Sequence, residues 1–121
     1  SRENSRALAV TEVVTDGWYD YHAKYSIGGS THVLPADIPN EIKTACLDHA
    51  KKAHNFLGCR GISRTDFRWD DSKGKNGLFL LETNTQPGMT PTSLAPEQAS
   101  FCGITLSELC SSLIEDASCN R

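Results

Sequence analysis

Two short stretches of this chain carry side chains suited to binding a divalent metal and phosphate. In the run SRTDF, Arg64 and Asp66 lie two residues apart. In the run LFLLETN, Glu82 and Asn84 have the same spacing and follow directly after apolar residues. Magnesium accepts such carboxylate and amide oxygens, often together with the phosphates of a substrate, and arginine can hold a phosphate through two hydrogen bonds. These residue types therefore predict metal-assisted phosphate chemistry.

A hairpin would bring the four side chains together. If it is centred on Gly74, in the polar turn between the two runs, Asp66 faces Glu82 and Arg64 faces Asn84. Side chains alternate along a strand, so all four then share one face. Two facing carboxylates, with Cβ atoms about 5 Å apart, need a cation, a shared proton or a nearby arginine. The spacing favours a metal site in which Glu82 bridges two ions; the alternative is an exposed face where Arg64 pairs with Asp66 or Glu82.

The turn after the second run offers groups for binding an anion. Gly88 permits close backbone approach, and its N–H can donate to a developing oxyanion, although a glycine after Pro87 is also an ordinary turn residue. Ser93 and Leu94 begin a predicted helix, where free N–H groups attract carboxylates or phosphates. An ordinary helix N-cap is the commoner role of serine at such a position. On spacing alone the ordinary turn and the ordinary cap are favoured, and anion binding is the alternative.

The positions of these groups depend on helices and strands that apolar periodicity predicts. The predicted fold class is α+β, a largely antiparallel sheet flanked by helices. In the longest predicted helix, Ile42, Cys46, His49 and Phe56 belong to one buried stripe. The predicted elements are strand Ala7–Thr15, which reads as an inner strand; helix Pro39–Leu57, capped by Asp37 and ended by Gly58; strands Cys59–Trp69 and Leu78–Thr83; helix Ser93–Cys102, closed by Gly103; and a last helix opened by the capping box of Thr105 and Glu108, with Leu109, Leu113 and Ile114 inward.

The segment 17–34 lacks a helical or alternating pattern and contains Gly28-Gly29-Ser30. We expect a mobile, functional loop there, because long loops in compact domains are usually functional or disordered and aromatic residues argue against plain disorder. Within it, His22 and His32 are expected to be solvated. No Ser-His-Asp or Cys-His nucleophilic arrangement is recognisable, and the histidines near the cysteines do not have a zinc-finger spacing.

Composition narrows the class of protein. The chain has 121 residues and a formal net charge of −3, which does not suggest a nucleic-acid partner, and no apolar run is long enough to span a bilayer. Its five cysteines form no CxxC motif, so free thiols in a reducing cytoplasm are the simplest interpretation. The sequence starts without Met, which suggests a fragment or a processed product.

Three motifs resemble the carboxyl-terminal third of the D-alanine–D-alanine ligases, which are members of the ATP-grasp superfamily. They are YDYHAKY (19–25), GCRGISRTDF (58–67) and LLETNTQPGMTPTSL (80–94), of which the last is the most specific. The resemblance runs from about Ala7 through the last helix. It implies that residues 1–121 are the carboxyl-terminal part of an ATP-grasp catalytic domain, whose amino-terminal and central domains lie outside this sequence. The stretch alone is therefore expected to be inactive or nearly so.

The resemblance also implies roles for individual residues in a reaction that uses ATP and two magnesium or manganese ions. ATP would phosphorylate one D-alanine, and a second D-alanine would attack the acyl phosphate. The implied roles are metal binding by Asp66, Glu82 and Asn84; stabilisation of the transferring phosphoryl group by Arg64; oxyanion binding by Gly88; acceptor binding by Ser93 and Leu94; phosphate binding by Lys24; closure of the substrate chamber by Tyr25; and adenine packing by Trp18 and Leu81.

The implied parent protein is a cytoplasmic, homodimeric ligase that makes D-alanyl-D-alanine for peptidoglycan. Its partners are D-alanine and ATP, with no nucleic acid and no membrane. Two alternatives stay open. One is a related D-amino acid ligase with another acceptor, such as D-lactate or D-serine, and the other is a non-catalytic nucleotide-binding remnant.

Overall fold

The computed structural model describes residues 5–14 and 31–119, and its helices and antiparallel strands confirm the predicted α+β class. The strands form two separate antiparallel pairs within these ranges, β1–β2 and β3–β4, where one sheet was predicted. The elements are β1 (Glu12–Val14), β2 (Thr31–Val33), α1 (Asn40–Phe56), β3 (Arg64–Trp69), a 3₁₀ segment (Asp71–Gly77), β4 (Leu78–Asn84), α2 (Leu94–Phe101) and α3 (Leu106–Asp116).

The first strand pair differs from the prediction. β1 is three residues long, and Val14 is 46% exposed, so the predicted inner strand Ala7–Thr15 is wrong. Its partner β2 lies in the segment 17–34 that was predicted to be a loop, with Glu12 opposite Val33. A three-residue strand whose partner is remote in sequence shows no local alternation, so periodicity could not reveal it. The rest of the predicted loop, 17–30, lies outside the described residues.

The residues before β1 bind to other parts of the chain and do not extend the strand. The N–H of Ala36 donates to the carbonyl of Val10 at 2.9 Å, and the amide of Gln98 donates to the Thr11 hydroxyl at 3.0 Å. The Cys102 thiol lies 3.2 Å from the carbonyl of Leu8. These contacts hold residues 8–11 against α2, its carboxyl end and the segment after β2. Two of them use the backbone carbonyls of Leu8 and Val10, which a longer strand would need for its own pairing.

Helix α1 matches the predicted range, and Ile42 and Cys46 are buried as predicted. Burial also raises the pKa of the Cys46 thiol. The helix begins after Pro39 without a side-chain cap, so the predicted cap by Asp37 is wrong; Asp37 lies too far before the first turn. Phe56 is 90% exposed, which contradicts the distal part of the predicted stripe, because no described element covers the last turn on that side.

One polar contact ties the end of α1 to the chain that leads into β3. His49, predicted on the buried stripe, is exposed, whereas His54 is half-buried and its Nδ1 lies 2.7 Å from the Ser63 hydroxyl. Burial lowers the pKa of His54 because the protonated ring loses hydration. Gly58 ends the helix region with φ of 70°, a left-handed conformation that suits glycine.

The two carboxyl-terminal helices follow the sequence closely. The predicted capping box is confirmed: the N–H of Glu108 donates to the Thr105 hydroxyl at 3.1 Å, and the N–H of Thr105 donates to the Glu108 carboxylate at 3.2 Å. Leu109 is buried, but Ile114 is 75% exposed, so its predicted inward position is wrong. The five cysteines are free thiols. No helix in the described ranges has the length and apolarity needed to cross a membrane.

Candidate active site

The hairpin of β3 and β4 brings the four predicted side chains to one end of one face. Arg64 is opposite Asn84, and Asp66 is opposite Glu82, which confirms the register expected for these residues. Directly opposed residues of an antiparallel pair point to the same side of the ribbon, and so do residues two apart along a strand. The structure therefore aligns two carboxylates, one amide oxygen and one guanidinium.

The 3₁₀ turn at the other end of the hairpin sets the pairing of the rungs next to it. Gly74 adopts φ of 57°, and the indole N–H of Trp69 donates to its carbonyl at 3.0 Å. Asp70 accepts hydrogen bonds from the hydroxyl and the N–H of Ser72, which lower the pKa of its carboxyl group. A side chain at Gly77 would lie 2.1 Å from the carbonyl oxygen of Asp70, so this position has no room for a Cβ.

A β-bulge lies between the turn and the aligned side chains. The pairing changes from Asp66–Glu82 to Phe67–Leu80, which leaves Leu81 without a partner in the ladder. The symmetric register predicted from Gly74 thus holds at the site end and fails beyond the bulge. Bulges of this kind bend the strand and increase its local twist. The side chain of Leu81, predicted to pack near an adenine, is 61% exposed.

Arg64 and Asp66 form an ion pair along β3. Arg64 donates from Nε to Asp66 Oδ1 at 2.8 Å and from a terminal nitrogen to Oδ2 at 3.2 Å. Their side chains are 23% and 30% exposed, so the pair is partly shielded from water. This is the pairing that the alternative interpretation of the hairpin expected. Because the guanidinium compensates one carboxylate, the facing carboxylates do not require a metal for the fold itself.

The donor set nevertheless fits a hard divalent cation. The side chain of Glu82 is exposed. It makes no hydrogen bond or ion pair with any residue in the described ranges 5–14 and 31–119. Asn84 accepts the N–H of Gln86 at 2.9 Å through its side-chain oxygen, which fixes the direction of the amide and leaves a second lone pair. No three His, Cys, Asp or Glu side chains of the described chain converge on one point. Two carboxylates and an amide match a site that a substrate phosphate must complete.

The turn after β4 positions the other predicted groups. The carbonyl of Thr90 accepts the N–H of Ser93 at 3.0 Å, which closes a four-residue turn with Pro91 in its second position. Ser93 is the N-cap of α2, but its side chain makes no capping hydrogen bond to the helix. A Cβ at Gly88 would lie 2.8 Å from the Ser93 hydroxyl oxygen. Glycine at position 88 therefore lets the backbone lie close to the Ser93 side chain.

The comparisons with known proteins identify the family of the chain. The family described as D-ala D-ala ligase C-terminus matches residues 1–115. The chain belongs to this family. A D-alanine–D-alanine ligase of Ruegeria pomeroyi is 70% identical over 116 residues, which are 96% of this chain and 38% of that protein. One from Cereibacter sphaeroides is 69% identical with the same coverage.

Solved structures of D-alanine–D-alanine ligase from Bacillus anthracis show the same fold. One covers 90% of this chain and 35% of its own length, with 27% identity and a TM-score of 0.69. A second, described as complexed with ATP, has the same coverage and identity and a TM-score of 0.68. The chain therefore spans somewhat more than a third of the length of the relatives that it matches. These structural neighbours have the ATP-grasp fold, which confirms the fold expected from the motifs.

Of the residues predicted for a ligase site, most lie in the described part of the chain. The hairpin end holds Arg64, Asp66, Glu82 and Asn84, and the following turn holds Gly88, Ser93 and Leu94. Trp18, Lys24 and Tyr25 lie outside the described residues. Sequence reasoning missed Thr90, whose hydroxyl lies 2.6 Å from that of Ser93. A hydroxyl three residues before a predicted N-cap was the available signal.

A second contact was also missed. His32, predicted to be solvated, is half-buried and its Nδ1 bonds to the carboxylate of Glu97. The contact joins β2 to the first turn of α2, the helix that begins next to Ser93. The prediction for His32 is therefore wrong, because the strand that carries it was not recognised and its partner lies 65 residues away.

Proposed function

We propose that this chain is the carboxyl-terminal part of an ATP-dependent D-alanine–D-alanine ligase and supplies its metal, phosphate and acceptor sites. The observation that carries the proposal is the alignment of Arg64, Asp66, Glu82 and Asn84 on one face of the hairpin. Membership of the ligase family and the high identity to proteins named D-alanine–D-alanine ligase support it. The remaining domains of the enzyme are expected outside these 121 residues.

Asp66, Glu82 and Asn84 would hold two magnesium or manganese ions. When bound, such ions draw negative charge from the phosphates of ATP and from the phosphoryl group in transfer. The neighbouring structure described as complexed with ATP supports ATP as the nucleotide. Arg64 is already held beside Asp66, at 2.8 Å. A phosphate arriving next to Asp66 can therefore take over the guanidinium hydrogen bonds without a large movement of the arginine.

The proposed reaction has two steps. The carboxylate of one D-alanine attacks the γ-phosphorus of ATP, which gives an acyl phosphate and ADP. The amine of a second D-alanine then attacks the acyl carbon, and inorganic phosphate leaves with the former carboxylate oxygen. Arg64 and the Gly88 N–H would bind the oxyanion of the tetrahedral intermediate. Phosphoryl transfer depends on positioning and charge neutralisation, which agrees with the lack of a nucleophilic triad in the sequence.

The turn and α2 would bind the second D-alanine. The Ser93 hydroxyl makes no capping bond, and the Leu94 N–H belongs to the first helical residue, which has no carbonyl partner within the helix. Both can donate to the acceptor carboxylate, and the positive end of the helix favours a negative charge there. Tyr25 and Lys24 would close the chamber and contact the phosphates, while Trp18 and Leu81 would pack near the adenine.

The parent protein would then work in the cytoplasm as a homodimer and supply D-alanyl-D-alanine for peptidoglycan. High identity to proteins of the same name supports D-alanine as the acceptor.

The proposal is tested with the purified intact polypeptide that contains this chain. Its mass is measured first, and the protein is then incubated with ATP, magnesium and D-alanine, with D-lactate and D-serine in parallel reactions. We expect ADP, phosphate and D-alanyl-D-alanine in equal amounts. If the protein instead joins D-alanine to D-lactate or D-serine and makes no D-alanyl-D-alanine, then the acceptor is D-lactate or D-serine and not D-alanine. If the protein binds ATP but makes no ligation product, it is a non-catalytic nucleotide-binding module and the ligase proposal is rejected.

A further inference from the structure

We propose that Thr90 is a positioning residue that makes the Ser93 hydroxyl a dedicated hydrogen-bond donor toward the acceptor carboxylate. The inference rests on the proposed function, because it takes the Ser93 site to be the acceptor site. It goes further in naming a residue that has no direct contact with substrate and in giving it a defined role in recognition. The argument follows from the hydrogen bonds around one oxygen atom.

Two groups of Thr90 converge on the Ser93 hydroxyl oxygen. The N–H of Thr90 donates to it at 3.1 Å, and the hydroxyl of Thr90 lies 2.6 Å away. The turn itself keeps these groups in place, since the Thr90 carbonyl accepts the N–H of Ser93 at 3.0 Å. Thr92 is a poor rival for the Thr90 hydroxyl, because its oxygen is 3.5 Å away.

A serine hydroxyl has one proton to donate and two lone pairs that accept. At Ser93 the Thr90 N–H occupies one lone pair. If the Thr90 hydroxyl donates to the second lone pair, the Ser93 proton is available for a ligand. If Ser93 donates to Thr90 instead, it has no proton left for a ligand that only accepts.

A carboxylate decides between these two arrangements. Ionised carboxylates accept hydrogen bonds and cannot donate. With one bound, the first arrangement makes two hydrogen bonds, from Thr90 to Ser93 and from Ser93 to the carboxylate, whereas the second leaves the carboxylate without a bond from Ser93. The bond to the carboxylate is also charge-assisted and stronger than a neutral one. Thr90 therefore donates to Ser93 in the complex, and the chain of hydroxyls ends at the ligand.

The surroundings of Ser93 leave its oxygen available to Thr90. The side chain makes no capping hydrogen bond to α2, so the helix N–H groups do not take the lone pairs to which Thr90 donates. A Cβ at Gly88 would lie 2.8 Å from the hydroxyl oxygen, so glycine leaves room beside it. Thr90 is itself exposed, so a change at this position leaves the core unaltered.

The test uses Thr90→Val in the intact ligase, because valine has the same shape as threonine but no hydroxyl. We expect the Michaelis constant for the second D-alanine to rise roughly tenfold, as for the loss of a hydrogen bond that orients a charged partner. The Michaelis constant for ATP should be unchanged. Thr90→Ser, which keeps the hydroxyl, should behave as the wild type, and Thr92→Val is the matched control at an exposed threonine of the same turn.

Two further measurements separate positioning from a structural effect. Since Thr90 acts through Ser93, the double variant Thr90→Val/Ser93→Ala should be no weaker toward the acceptor than Ser93→Ala alone. Thr90→Val should also impair D-alanine as acceptor more than D-alaninamide, which lacks the negative charge.

An unchanged acceptor constant in Thr90→Val would overturn the inference, and so would a loss in Thr90→Ser equal to that in Thr90→Val. Additive effects in the double variant would overturn it as well. All three outcomes leave the ligase activity of the wild type intact. A wild type that makes no dipeptide would instead remove the proposed function, and the inference with it.

Discussion

The two halves of the candidate site are held in place by different forces. At the hairpin end, Arg64 and Asp66 form an ion pair through two hydrogen bonds, with nitrogen–oxygen distances of 2.8 and 3.2 Å. In the turn before α2, neutral groups of Thr90 and Ser93 hold one another, and Gly88 supplies space. The hairpin half must exchange an existing ion pair for its ligands, whereas the turn half is already arranged for one. We therefore expect function to depend mainly on the charges of the side chains at the hairpin end, and on the exact positions of the groups in the turn before α2.

The largest effect is expected where charge is removed from the hairpin. Asp66→Asn or Glu82→Gln should lower turnover of the intact enzyme by roughly a hundredfold or more, because each removes a negative oxygen from the metal and phosphate site. Steady-state rates at saturating ATP and magnesium measure this. Asp71→Asn, an exposed carboxylate at the far end of the same hairpin, serves as the control and should stay near wild type. Rates close to wild type for both site variants would reject the metal assignment.

A smaller but still large effect is expected from filling the space at Gly88. Gly88→Ala places a methyl group 2.8 Å from the Ser93 hydroxyl, so the Ser93 side chain or the turn must move. Displacements of about an ångström at a reacting centre cost roughly a hundredfold in rate, and the loss should appear in turnover as well as in acceptor binding. Thermal unfolding provides the structural readout: adding Ser93→Ala should recover part of the stability lost in Gly88→Ala. No recovery would place the strain elsewhere.

Removal of the Ser93 hydroxyl should have a more selective effect. Ser93→Ala loses one charge-assisted hydrogen bond, so the requirement for the second D-alanine should rise roughly tenfold while that for ATP changes little. The matched control is Ser100→Ala, at an exposed position of the same helix. Unchanged acceptor saturation in Ser93→Ala would count against the carboxylate role, whatever the hairpin variants do.

The smallest expected effect is on the pH dependence of stability. It distinguishes the two halves of the site because their ionisable groups differ. His54 bonds to Ser63, next to Arg64, whereas residues 85–93 of the turn contain no ionisable side chain. Burial lowers the pKa of His54, so the unfolded chain takes up this proton at a higher pH than the folded one. The contribution to stability is complete above about pH 6.5 and is lost as the pH falls below it.

Thermal unfolding of the intact protein between about pH 7.5 and pH 5.5 tests this prediction, since the range spans the usual histidine pKa. His54→Gln should show a weaker loss of stability on acidification than the wild type. His49→Gln, at an exposed position of the same helix, is the control and should follow the wild-type curve. Equal pH dependence in wild type and His54→Gln would assign the acid sensitivity to other groups.

The hairpin could be predicted because its information is local. The polar turn around Gly74, the two strands beside it and the facing polar side chains all lie within about twenty residues of sequence, and the predicted pairing of Asp66 with Glu82 is present. The bulge escaped prediction because Leu80 and Leu81 are both apolar leucines, and their pattern does not tell which one leaves the ladder. The capping box of the last helix is local in the same way and was predicted correctly.

The errors concern contacts that are distant in sequence. β2 pairs with a strand 19 residues away, and His32 bonds to a carboxylate 65 residues away, so neither leaves a periodic pattern at its own position. The exposure of Phe56 and Ile114 depends on which elements cover the outer faces of α1 and α3. Thr90 was missed because hydroxyl orientation in a turn follows from the path of the backbone, which sequence spacing does not specify.

The bulge at Leu81 has a consequence for how such chains can vary over evolutionary time. The unpaired residue shifts the pairing by one residue, so the rungs at the site do not continue the register of those next to the turn. Lengthening or shortening the solvent-exposed bend at 71–76 would disturb the rungs nearest to it, while Asp66 and Glu82 keep their mutual alignment. Insertions should therefore be tolerated in the bend and lethal between the bulge and Asn84. A library of single-residue insertions, selected for growth, would show this boundary directly.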